Sequence, residues 1–191
     1  MIAAIYKLVE WLLGPSPQKK AFTAPIEQAP HRLHIPRSLM YELRAMTRPN
    51  HKYGEPLAFL LVRFASEESR TILVGIAALP FPDHAYVDGP AGANFDTDWA
   101  VNVANEQIAA NTGLVLVHAH GGTGLPMFSG VDQQTNRTVM GALAVGVNTA
   151  PYGAMVLSDT DARCVVSISR ALTNVTVVVV PDRFGELRVT A

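Results

Sequence analysis

Residues 114–120 read LVLVHAH, and no other stretch limits the possible fold as strongly. A β-strand otherwise made of Leu and Val has little reason to carry polar rings at alternate positions unless something offsets their desolvation. Successive side chains of a strand point to opposite faces. Leu114, Leu116, His118 and His120 therefore share one face, and Val115, Val117 and Ala119 share the other. Both imidazoles project the same way, with Cα atoms roughly 6.5–7 Å apart. Across that span two inward-leaning rings can chelate one ion through bonds of about 2.0–2.1 Å.

The downstream sequence offers a third ligand. A glycine-rich loop, residues 121–128, leads to Ser129-Gly130-Val131-Asp132 at the start of a predicted helix over about 130–144. Ser-x-x-Asp is close to a capping box, with Ser129 accepting from a free backbone N–H and Asp132 favoured by the helix dipole. Capping explains those two residues but not the histidines. A carboxylate ligand from Asp132 explains all of them together, and two His plus one carboxylate leave a fourth tetrahedral position for water. The single cysteine, Cys164, excludes an intrachain disulfide framework and a Cys-rich zinc cluster, and it suits a reducing cytoplasm. Any metal ligands must then be His and carboxylates. That set suits zinc, although iron and manganese accept it too.

Composition sets the remaining limits. With 191 residues, 49% apolar and 16% charged, the chain is long and apolar enough for one sizeable core. A formal charge of −1 without a basic stripe leaves no electrostatic footprint for nucleic acid. Residues 1–13 space Ile2, Ile5, Leu8, Val9, Leu12 and Leu13 as in an amphipathic helix, interrupted by Lys7 and Glu10, unlike a signal peptide or membrane span. Such a helix would pack on its own domain or on a second copy, making a homo-oligomer, or would dock on a membrane surface or a partner. Residues 14–30 form a Pro-containing connector, and residues 31–191 the globular domain.

Within that domain residues 35–46 read as a helix. Residues 57–64 and 70–79 read as a strand hairpin, and residues 99–113 as a helix stopped at Gly113. Strands follow near 153–158, 163–169 and 176–180. Helices and strands mixed this way predict an α/β sandwich, a mixed central sheet flanked by helices. The long segment 80–98, rich in Pro, Gly and Asp, is expected over a functional surface.

These residues resemble the signature of the JAMM metalloproteases, also called MPN+ or JAB domains: an upstream Glu, then His-x-His, then Ser-x-x-Asp. Here they are Glu55, "HAH" and "SGVD", with Ala58 standing where Glu-x-x-Gly would have its glycine. The likeness covers roughly residues 36–169. It departs at Gly121, where the family commonly has Pro, and in a loop of eight residues where seven are usual.

The resemblance implies a cytidine-deaminase-like JAMM/MPN fold, with one Zn²⁺ held by His118, His120 and Asp132. It makes Glu55 the general base and Ser129 the oxyanion donor. It further implies an isopeptidase or peptidase cutting after the C-terminal glycine of a ubiquitin-like protein, by deconjugation or precursor processing. Compactness and a short C-terminal tail look more like the prokaryotic JAB proteins that accompany bacterial ubiquitin-like conjugation systems. The implied partners are that ubiquitin-like protein, its conjugates and the E1- and E2-like enzymes of such a system. The tail would lie extended against a sheet edge, walled by residues 80–98 and 146–152. Processing of a sulfur-carrier protein and a non-catalytic MPN scaffold are the alternatives.

Other candidates carry less. His84 is a lone loop histidine, while His31, His34 and His51 lack partners at ligand spacing. Cys164 reads as a small buried hydrophobe, and Asp159 and Asp161 as turn residues.

Overall fold

The computed structural model describes residues 30–49, 54–67, 69–87, 95–107, 112–146, 150–168 and 171–182. The expected helix over 1–13 and all of its connector but Pro30 lie outside the described residues, as do His51 and residues 88–94. The elements run β1 (His31–Pro36), α1 (Arg37–Met46), β2 (Ala58–Glu67), β3 (Arg70–Pro80), α2 (Thr97–Gln107), β4 (Thr112–Ala119), α3 (Gly130–Gly146), β5 (Tyr152–Leu157), β6 (Ala162–Ile168) and β7 (Ala171–Val180).

The seven strands close into a barrel in the order β1-β3-β2-β4-β5-β6-β7. β1 runs parallel to both β3 and β7, β4 runs parallel to β5, and the other pairs are antiparallel. The expected α/β sandwich with a central sheet between flanking helices, the cytidine-deaminase-like JAMM/MPN arrangement, is therefore wrong for this chain. Its sheet has no free ends. Closure comes from β1, a strand the sequence reading left out. HRLHIP has only Leu33 and Ile35 as regular apolar positions, and both are fully buried inside the barrel. The helix expected from Ile35 begins instead at Arg37, because Ile35 and Pro36 complete β1.

Two apolar clusters follow from strand alternation. The inner one fills the barrel with Leu33, Leu60, Val115, Val117, Met155 and their neighbours, and Leu39, Met40 and Leu43 of α1 pack into it. A hydrogen bond from the Ser38 N–H to Asp182 Oδ1 (2.7 Å) fastens the start of α1 to the end of β7, and it holds the Asp182 carboxyl below its ordinary range. The outer cluster joins Phe59, Leu114, Leu116 and Tyr152 to Ala100 and Ala104 of α2 and Val139 of α3. Phe81 lies 4.7 Å from Phe59 and 4.8 Å from Trp99, ring centre to ring centre. β4 therefore contributes Val115, Val117 and Ala119 to the interior and Leu114 and Leu116 to the face covered by helices. His118 continues that covered face toward the C-terminal end of the strand.

Candidate metal centre

His118 is only 5% exposed, beyond Leu116 on the outer face of β4. His120 follows the last residue of the strand. Its N–H donates to the Leu157 carbonyl (2.8 Å), so pairing with β5 runs one residue further and keeps the second ring on the side of the first. The Nε2 atoms lie 3.2 Å apart, with ring centres 4.9 Å apart.

The loop after His120 is held from below. Gly122 and Gly124 take φ values of 96° and 85°, which side chains with a Cβ resist. Gly124 N–H donates to Thr160 Oγ1 (2.9 Å), Ser158 Oγ to the Gly124 carbonyl (2.7 Å), and Asp159 N–H to the Gly122 carbonyl (2.9 Å). Arg163 Nε donates to the Pro126 carbonyl at 2.8 Å, and Arg44 of α1 grips the carbonyls of Ser158 and Asp159. The eight-residue loop is thus tied to the β5–β6 turn, where Asp159 and Asp161 are exposed.

The loop delivers Ser129 to the start of α3, and capping and convergence occur together there. Asp132 N–H donates to Ser129 Oγ (3.1 Å), and Ser129 N–H donates to Asp132 Oδ2 (2.6 Å). This reciprocal box satisfies two otherwise orphaned helix donors and sets the carboxylate rotamer. The same carboxylate places Oδ1 3.2 Å from His118 Nε2 and Oδ2 3.3 Å from His120 Nε2.

Glu55 arrives by strand register. Ala58, which opens β2, pairs with Val117, so the residues just before β2 lie beside His118. Leu57 N–H donates to the Tyr86 hydroxyl (2.8 Å), and Phe81 N–H donates to the Leu57 carbonyl (3.2 Å), holding this lead-in. Glu55 Oε1 stands 3.8 Å from His120 Nε2, and its side chain is 37% exposed against 11% for Asp132.

One ligand atom from each of Glu55, His118, His120 and Asp132 lies within 4.8 Å of all the others, so the group could hold a metal ion. The donor set fits such an ion. Ligands about 2.05 Å from a tetrahedral centre are about 3.3 Å from one another, and the two Nε2 atoms are 3.2 Å apart, while Asp132 reaches His118 through Oδ1 (3.2 Å) and His120 through Oδ2 (3.3 Å). Protonation states suit it as well. Burial lowers the His118 pKa from 6.5 and outweighs the pull of the Asp132 carboxylate, leaving a neutral imidazole at neutral pH. For Asp132 burial acts upward, yet the Ser129 N–H, the two imidazoles and the Ser129 hydroxyl together hold its pKa below 3.8.

Glu55, His118 and Asp132 help to line an open cleft. Leu57, Phe95 and Leu116 line it too, with Val131, Thr135 and Asn136 of α3. Sequence reasoning passed over these last two, although positions three and four beyond Asp132 fall on the same helix face. Phe95 gave no comparable signal. Of the expected walls, segment 80–98 contributes Phe95, whereas Tyr152 is buried in the outer cluster and residues 147–149 lie outside the described residues.

The minor candidates stay apart from the group. His84 is exposed and meets Trp99 edge-on, with ring centres 6.2 Å apart. Cys164 is buried in the barrel, and burial pushes its thiol pKa up to about 12.

No protein-family model matches the chain, and no curated protein matches it. Among solved structures the chain is similar to the solution structure of a structural genomics target protein from Desulfitobacterium hafniense. The two are 12% identical, the match covers 78% of this chain and 93% of that chain, and the TM-score is 0.43.

Proposed function

We propose that this chain is a zinc-dependent isopeptidase or peptidase, bearing the JAMM signature residues on a closed barrel and acting in the cytoplasm. The observation that carries the reading is the convergence of two imidazole nitrogens 3.2 Å apart with the carboxylates of Asp132 and Glu55, one ligand atom from each of the four lying within 4.8 Å of the others, a donor set that suits zinc. Chemistry resides in a site and not in a fold, so a closed barrel can carry these side chains as well as a sandwich can.

His118, His120 and Asp132 would hold the ion. Zinc, when bound, lowers the pKa of water towards about 7 and polarises a scissile carbonyl. Glu55, the most exposed of the four and the furthest from a ligand spacing, takes the proton of the attacking water and returns it to the leaving amine. Ser129 Oγ accepts from the Asp132 N–H, and its hydroxyl turns from the Asp132 carboxylate to donate to the developing oxyanion.

The substrate follows from the resemblance: the C-terminal glycine of a ubiquitin-like protein, in a conjugate or a precursor. Each strand of the barrel has a neighbour on both sides, so the expected placement of the tail against a sheet edge is withdrawn. The tail runs instead in the cleft between the lead-in to β2 and α3.

The test combines metal analysis of the purified protein with cleavage of a ubiquitin-like fusion by wild type and Glu55→Gln. One zinc per chain, with turnover lost on chelation and in Glu55→Gln, supports the reading. Cleavage that survives both would sink it, as would bound zinc with no turnover, the behaviour of a scaffold.

A further inference from the structure

Ile72, Val74 and Ile76 alternate along β3 with inward-facing Thr71, Leu73 and Gly75, and they stand 36%, 39% and 42% exposed. Side chains at this spacing form one continuous stripe about 13 Å long on the outside of the barrel. Further along the strand Leu79 packs against the outer cluster, so the helices cover one end of β3 and leave the other bare. The rims are basic. Arg63 of β2 pairs with Val74 on one side, and Arg32 of β1 pairs with Ile72 on the other. An apolar strip between polar rims is the composition of a docking surface.

The chain itself supplies the occupant. The Pro30 carbonyl accepts from the Thr71 N–H (3.2 Å), so Pro30 sits one position from Ile72. Among the preceding residues Ile2, Ile5, Leu8, Val9, Leu12 and Leu13 recur at helical spacing, Lys7 falls opposite, and Glu10 borders the apolar side. A helix over residues 2–13 would be about 18 Å long, enough to cover the stripe. Residues 14–29 reach up to about 55 Å when extended, so the connector spans any approach.

We propose that the apolar face of residues 2–13 docks on Ile72, Val74 and Ile76 of its own barrel. Docking removes the stripe from water, places Glu10 at the basic rim and leaves Lys7 in solvent.

The test uses the full chain with cysteine pairs, native Cys164 being buried and unreactive. Val74→Cys is combined with Ile5→Cys, Val9→Cys or Leu12→Cys, and with Lys7→Cys for comparison, under mild oxidation. At least one of the first three pairs forms a disulfide within a single chain about tenfold more completely than the Lys7→Cys pair. Equal crosslinking in the Lys7→Cys pair, none in any pair, or disulfides only between chains overturns the proposal. Hydrogen exchange checks it without cysteines: in Val74→Lys the amides of residues 2–13 exchange at least about tenfold faster while β4 is unchanged. Identical exchange in the two proteins overturns it as well.

Discussion

Two strand segments of this barrel carry paired histidines, and one pair joins a group that could hold a metal ion. On β4 the spacing is two, so His118 and His120 share a face, and the start of α3 brings a carboxylate within 3.3 Å of both. On β1 the spacing is three, so His31 and His34 point to opposite faces. Nδ1 of His31 and Nε2 of His34 are buried without a hydrogen-bond partner among the described residues. Burial and then Arg32 lower the His34 pKa, whereas at His118 a carboxylate opposes the effect of burial. Residue type is the same in the two strands. Period and a helix terminus in register make the difference.

The largest effect that would break this comparison comes from the ligands. Outer partners of metal ligands already cost about ten- to a hundredfold in affinity. His118→Ala or Asp132→Ala should therefore weaken zinc binding by more than about a hundredfold in calorimetry and remove detectable cleavage. His34→Ala should leave stoichiometry and affinity unchanged, and a loss there would erase the contrast between the strands.

Glu55→Gln should keep the metal and lower turnover by about a hundred- to ten-thousandfold, as expected for loss of a general base. Zinc lost together with activity would instead make Glu55 a fourth ligand, closing the site. Ser129→Ala separates the cap from the proposed oxyanion role of the same hydroxyl. It should cost about 1 kcal/mol of stability through the lost cap, read by denaturant unfolding. Turnover should fall by about a hundredfold through the lost donor.

The smallest effect is on pH dependence in metal-free protein. The His118 and His34 pKa values lie below 6.5 in the folded chain, so near and below that pH the unfolded state binds more protons. Stability should be full above about pH 6.5 and decline as the pH falls below it. The denaturation midpoint read at a series of pH values measures the slope. His34→Gln should remove the β1 share and keep the β4 share, and an unaltered slope would mean that β1 contributes nothing.

Much of the candidate site was legible before any fold was known. The period of two put both rings on one side, Ser129-x-x-Asp132 marked a helix start, and the capping carboxylate of that tetrad also lies within 3.3 Å of both imidazoles. Thr135 and Asn136 were accessible by helical spacing but went unread, and Phe95 gave no local signal. The barrel was not legible because its closing strand is short, lies between Pro30 and Pro36, and has only two regular apolar positions. A strand of that kind is recognisable only by what it pairs with, and β1 pairs with β3 and β7, distant in the chain.

The amino-acid order alone determined the alternation along β4, the helix start at Ser129 and a donor set without thiolates, since these depend on local periodicity and residue chemistry. Tertiary structure decided that the sheet closes, that Ala58 sits opposite Val117 and so carries Glu55 to the histidines, and that the loop after His120 is tied to the β5–β6 turn. Those outcomes depend on hydrogen bonds between residues far apart in the chain, whose register no local pattern encodes.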